Sequence, residues 1–268
     1  QEVMLYWLGN TFQEKQLPLI LSYFNNVNPD LRTAAIRAAS NIGGIEATKA
    51  ILELLKTDDT QTLKLAENAL LSSKAEVSSG VMSVYDQASE GGKLVALNVL
   101  SNRKATLYAG AVMTEMEKGS QKVQQKSAQI LKNVVTQKEL NQLFSLLEKE
   151  GQQYVSDIQQ AISTVLSAHP AEKQLEIINK QMAASPAQYL YYPLLISTGS
   201  KESLNNIADA YRQGTGKSKE AAFKALTSSA DFETIYLLMD IIGDNPPAET
   251  KTDAVNAVLK LISKSNKT

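Results

Sequence analysis

Residues able to do chemistry are sparse in this chain, and their spacing decides most of what they could do. The 268 residues include one histidine, His169, and no cysteine. Thiolate zinc sites, cysteine nucleophiles and disulfide staples are excluded, and one imidazole alone does not build the usual transition-metal site. A general base needs a nucleophile nearby, and no serine context around His169 supplies one. With Pro170 after it, His169 reads as a solvated turn residue at a helix–helix junction. Asp58-Asp59 and the pair Asp240 and Asp244 have the residue types of a hydrolase's two carboxylates. Asp also caps helices, and capping with solvation is the expectation for both pairs. Gly214-Thr215-Gly216-Lys217-Ser218 ends like a phosphate loop. The full signature needs a Gly where Tyr211 sits and a strand before it, whereas the preceding residues pattern as a helix, so a turn is expected. No convergent catalytic set emerges. No catalytic residue, cofactor site or metal site is expected.

The aromatic residues suggest contact rather than catalysis. Tyr189, Tyr191 and Tyr192 cannot all face inward from a helix, because consecutive residues point about 100° apart. At least one should be exposed or lie under a neighbouring loop. Tyrosine suits binding surfaces by joining area to a polar tip, and packing between helices is the other use open to these three. Pro193 implies a kink or a helix start there. Tyr6, Trp7 and Leu8 make an apolar beginning that either a preceding segment covers or another molecule contacts.

These residues must be positioned by helices. Leu31, Ala34, Ala35, Ala38 and Ala39 fall on one face of a 3.6-residue period, as do Leu140, Leu143, Phe144 and Leu147, and again Leu204, Ile207, Ala208 and Tyr211. Two-residue alternation is absent, so no sheet is expected. Asn28-Pro29-Asp30 opens one helix and Gly43-Gly44 closes it. A template recurs: a helix of small and apolar residues, a Ser/Asn/Gly break, then a second amphipathic helix. Its anchors run from Ala39 through Leu71, Leu100, Leu131, Leu166, Ile196 and Leu226 to Leu259, about every 31 residues, within the range of stacked repeats. Lone hairpins of this length cannot bury both faces, so the array must stack contiguously. One first helix between Gly151 and Pro170 is expected to be a turn longer than its neighbours, and the polar end, residues 263–268, to fray.

The totals narrow the partners. Lys and Arg number 27 against 28 Asp and Glu, net charge −1. Phosphate neutralisation needs a clustered basic excess, so no nucleic acid is expected as partner. No stretch approaches the roughly 20 apolar residues of a membrane-spanning helix, so no membrane insertion is expected.

The run from Asn28 to Gly43, with Glu46-Ala47 and Ile51 to Leu55, resembles a HEAT repeat: a Pro and acidic turn, a Leu31-Arg32 pair, small residues, a Gly-ended turn and an aliphatic second helix. The other repeats keep period and apolar positions but mostly lose the Arg. The Lys-, Ser-, Gln- and Asn-rich character is similar to HEAT segments of large secreted sugar-active proteins of bacteria of the Bacteroidetes. The resemblance implies an all-α fold, a right-handed α-α superhelix (a HEAT/ARM-like solenoid) of about seven to eight helical hairpins, forming a single domain over 1–268; the opening run Gln1 to Leu8, without an initiator Met and patterned like the middle of a helix, makes a fragment of a longer protein the expectation. The resemblance also implies a non-catalytic binding or scaffolding module for a protein or peptide, or for a neighbouring domain of the same chain. Its surface would be the second helices, represented by Lys49, Glu53, Asn141, Ser145 and Glu148, with Tyr189, Tyr191 and Tyr192. A periplasmic or secreted location goes with that resemblance. The alternative is an accessory segment of a larger, glycan-processing hydrolase whose active domain lies elsewhere.

Overall fold

The computed structural model describes residues 1–11, 14–149 and 151–265. Among them every regular element is helical and no strand occurs. The chain divides into two compact units, Gln1–Val135 and Thr136–Thr268.

The first unit contains α1 (Glu2–Asn10), α2 (Leu17–Leu21), α3 (Pro29–Ile42), α4 (Gly44–Glu53), α5 (Thr60–Ser72), α6 (Ser78–Val84), α7 (Glu90–Asn102), α8 (Ala109–Lys118) and α9 (Gln121–Val134). The odd-numbered, or first, helices pack side by side in chain order: α1 on α3, α3 on α5, α5 on α7, α7 on α9. The even-numbered, or second, helices pack against their chain neighbours, and α4 also against α6. The local sequence explains each helix. Asn28 Oδ1 accepts from Asp30 N at 2.9 Å to cap α3, Pro29 fills the first turn, and Gly43 and Gly44, at φ +69° and +83°, end it. Ala35, Ile36, Ala38 and Ala39 are all buried on α3, a wider face than one stripe, because α1 and α5 enclose it from two sides.

Consecutive first helices also share polar contacts one repeat apart. Asn98 donates to Glu67 at 2.7 Å, Lys126 to Asn98 at 3.0 Å, and Asn133 to Ser101 at 2.8 Å. Arg103 reaches back to the end of α5, donating to the carbonyls of Leu70, at 2.9 Å, and Ser73. The start of α7 is pinned likewise: Ser89 N donates to Leu55 O at 3.0 Å and Ser89 Oγ to Thr57 O at 2.6 Å. The approach is so close that a Cβ on Gly92 would lie 1.8 Å from Leu55 O. Only glycine fits there.

The second unit contains α10 (Leu140–Leu147), α11 (Val155–Leu166), α12 (Ala171–Ala184), α13 (Tyr192–Ser197), α14 (Lys201–Gln213), α15 (Gly216–Ser228), α16 (Thr234–Gly243) and α17 (Ala248–Ser265). Here α11, α13, α15 and α17 are the first helices and pack in chain order, with α12, α14 and α16 on their chain neighbours. Pro193 stands in the first turn of α13, which follows a 3-10 turn over Gln188–Tyr191, so it begins a helix rather than kinking one. The expected long helix between Gly151 and Pro170 is not there. α11 has 12 residues against 14 for α9. The additional residues fall before α11, where Gly151 takes φ +73° and the Gln152 side chain both donates to Leu146 O and accepts from Tyr154 N. At the other end α17 remains helical through Ser265, and the rest of the stretch expected to fray, residues 266–268, lies outside the described residues.

Each repeat anchor of the sequence lies on a first helix, from Ala39 on α3 to Leu259 on α17. Burying one Leu or Ile side chain is worth about 1.5–3 kcal/mol, whereas an exposed ion pair contributes about 0–1 kcal/mol. Apolar cover between neighbouring helices, rather than surface charge, holds each unit together.

Candidate functional site

The eight residues expected at a binding surface are divided between the two units. Lys49 and Glu53 belong to the first unit and the other six to the second. Both of the former are exposed on α4 and pair locally: Lys49 with Glu46 on the same helix at 2.9 Å, Glu53 with Lys56 in the 3-10 turn that follows at 2.6 Å. Asn141 and Ser145 are exposed on α10, where Ser145 Oγ donates to the Asn141 carbonyl at 3.1 Å. Tyr191 and Tyr192 correct the expectation of a tyrosine surface, for both are buried. The Tyr191 ring stacks on Phe144, centroids 5.9 Å apart, and its hydroxyl donates to Glu148 at 2.5 Å. Burial first, then that carboxylate, push the Tyr191 phenol above its ordinary range. Glu148 therefore serves the core as much as the surface. Tyr192 Oη pairs with Ser218 Oγ at 2.9 Å. Of the three tyrosines, only Tyr189 stays half-open.

The remaining motifs take structural places. Asp59 caps α5, accepting from Thr62 Oγ1 and from Thr62 N at 3.0 Å, and the hydroxyl first, then the backbone N–H, with Arg32 nearby, hold its carboxyl below the usual range. Asp240 faces Arg212 at 3.5 Å, and Asp244 follows the end of α16. His169 Nε2 lies 3.2 Å from Gln137 Oε1, between α11 and α12. After the helix α14, Gly214 and Thr215 make the turn and Gly216 to Ser218 open α15, so the strand that a phosphate loop requires is not there. Among the described residues no group of three or more His, Cys, Asp or Glu is placed to hold a metal ion.

The concave features lie elsewhere. A groove of about 900 Å³ crosses the outer faces of α11, α13 and α15. Tyr189, Leu190, Pro193 and Ile196 give it an apolar wall, and Ala221 and Ala225 its small-residue floor. Gln153, Ser156, Ser197, Ser228, Lys224 and Asp231 supply polar groups around them. Gln159 is held toward the wall by donating to Leu190 O at 2.7 Å, and Ser163 meets Ser197 at 3.1 Å. In the first unit a groove of about 300 Å³ crosses α1, α3 and α5, with Glu2, Tyr6, Arg37, Asn41 and Asn68 on its lining. Both are within the usual size of binding sites; the larger sets an apolar wall among polar groups, and the smaller is lined mostly by polar side chains. Both lie on first helices, not on the second helices where the sequence pattern placed the surface.

No family model matches the chain, and no curated protein matches it.

The groove residues that sequence reasoning passed over did leave a signal. Ala221, Ala225 and Ser228 fall at i, i+4 and i+7 on α15, and small side chains on an outward face leave a depression between larger neighbours. Exposed apolar residues mark two further places. Tyr6 and Trp7 are 68% and 63% exposed while Leu8 is buried, which splits the expected apolar trio. Phe232, Tyr236 and Met239, spaced i, i+4 and i+7, form an exposed stripe on and just before α16.

Proposed function

We propose that the chain is a right-handed solenoid of HEAT-like hairpins that binds a protein or peptide and performs no catalytic step of its own. The groove across α11, α13 and α15 is the observation that carries this. It is long enough to cross three helices, apolar along one wall, and rimmed by amides, hydroxyls and one charge of each sign at Lys224 and Asp231. Such a lining suits an extended peptide: apolar side chains against Pro193 and Ile196, main-chain amides against glutamine and serine. It does not suit a polyanion, which needs several cations. The sequential packing of first helices in each unit supports the repeat architecture, as does the close HEAT-like pattern from Asn28 to Leu55.

A peptide library displayed on phage and selected on the purified chain tests the proposal. Selected peptides should lose affinity about tenfold or more with Ile196→Glu, the effect of an anchoring contact in a desolvated groove, while far-UV circular dichroism stays unchanged. Selected peptides that bind Ile196→Glu and Lys224→Glu as tightly as the parent would overturn it.

A further inference from the structure

Helix α17 carries four exposed charges in an order that reverses on itself. Glu249 and Asp253 stand near its start, Lys260 and Lys264 near its end. Counted outward from the midpoint between Asn256 and Ala257, Glu249 mirrors Lys264 and Asp253 mirrors Lys260. The spacings i, i+4, i+11 and i+15 keep all four within about 60° on one side of the helix. None of the four forms an ion pair among the described residues. An order of acids first and bases last suits the helix dipole. Like charges four residues apart repel along the helix surface, and that repulsion is offset where opposite charges come alongside.

Beside this charged edge lies apolar surface that the two helices leave open. Val255 and Leu259 on α17 are 38% and 59% exposed, and Phe232, Tyr236 and Met239 on and just before α16 are 49%, 63% and 53% exposed. α16 packs on α17 across the short connection 244–247, so the two run antiparallel. Met239 follows buried Leu238 by one position, as Val255 follows Ala254 and Leu259 follows Val258. Each turns off the core by about 100° in the same sense, which on two facing antiparallel helices brings both stripes to one face. The open parts of these five side chains come to about 500 Å². That matches the apolar share of one side, about 800 Å², of a standard interface.

We propose that this face joins a second copy of the chain about a two-fold axis perpendicular to α17, so that the two α17 helices run antiparallel. Val255 and Leu259 of each copy meet at the centre, with the α16 stripes beside them. Glu249 and Asp253 of each copy stand opposite Lys264 and Lys260 of the other. A two-fold contact requires a surface that complements itself, and the mirrored charges of α17 supply one. A partner of different sequence would not. None of the residues lining the groove across α11, α13 and α15 belongs to this face.

Sedimentation equilibrium of the full chain, at concentrations up to millimolar, tests the proposal. A monomer–dimer equilibrium is expected. Leu259→Asp should weaken it about tenfold or more, the effect of losing a central apolar anchor. Lys260→Glu with Lys264→Glu sets like charges opposite one another and should weaken pairing about tenfold, as should Glu249→Lys with Asp253→Lys. An equimolar mixture of these two double variants restores opposite charges at every mirrored position and should pair at least as tightly as the parent. All five positions are exposed, so far-UV circular dichroism should not change. A monomer at every concentration, a Leu259→Asp chain that pairs like the parent, or a mixture no tighter than its components would each overturn the proposal.

Discussion

At Tyr191 a side chain that reads as surface in the sequence becomes part of the core. Its ring packs on Phe144 while its hydroxyl finds Glu148. Tyr191→Phe keeps the ring and removes the donor, and Glu148, open to solvent, rehydrates; urea denaturation should show a loss of about 1 kcal/mol. Glu76 offers a second test at this scale. Its carboxylate accepts from Ser78 N at 2.7 Å and from Ser79 N and Oγ, standing in for a cap at the start of α6. Hydrogen bonding to Ser78 and Ser79 outweighs desolvation and brings its pKa down to about 2. Because the folded value is depressed, the contribution is complete above the unfolded value of about 4.3 and is lost as pH falls toward about 2. Glu76→Gln should therefore be less stable than the parent by about 1 kcal/mol at neutral pH, the value of a helix cap, with the difference vanishing near pH 2. The capping role of Asp59 was legible from the sequence, because capping depends on neighbours in the chain. The fate of the adjacent tyrosines was not. Tyr191 turns toward α10 and Tyr192 toward α15, and two adjacent positions are both buried only because helices close in from two sides.

At the scale of elements, the close approach of α7 to Leu55, in the 3-10 turn that follows α4, sets the spacing of two repeats. Gly92→Ala places a carbon against Leu55 O and should cost about 1–3 kcal/mol as the backbones separate. Gly110→Ala on α8 meets nothing within 4 Å and should gain about 0.4–1 kcal/mol by restricting the unfolded chain. Opposite signs in thermal or urea unfolding would bear out the contact; a harmless Gly92→Ala would contradict it. Helix identity and the ends of α3 were readable from caps and period. The length of α11 was not, because the residues after α10 carry no strong stop signal and their extra length went into a loop held by Gln152.

At the scale of the molecule, the interval of about 31 residues made the order of the first helices readable, since each anchor needs a neighbour to cover it. The side that would hold a groove was not readable. Both helices of a hairpin show polar outer faces, and only packing reveals where alanine and serine leave a hollow. The central claim is that first helices stack in chain order within each unit, and engineered cysteine pairs test it most directly, on a background free of cysteine. Ser163→Cys with Ser197→Cys places thiols where the two hydroxyls now meet at 3.1 Å, within disulfide reach on mild oxidation, and Glu67→Cys with Asn98→Cys, whose longer side chains meet at 2.7 Å, calls for a short bis-maleimide cross-link instead. Both pairs should close within the monomer, with helical circular dichroism retained, while Ser163→Cys with Ser228→Cys, two first helices apart in the same unit, stays open. Failure of the two matched pairs to close, or equal closure of the mismatched one, would contradict the stacking order and the grooves built on it.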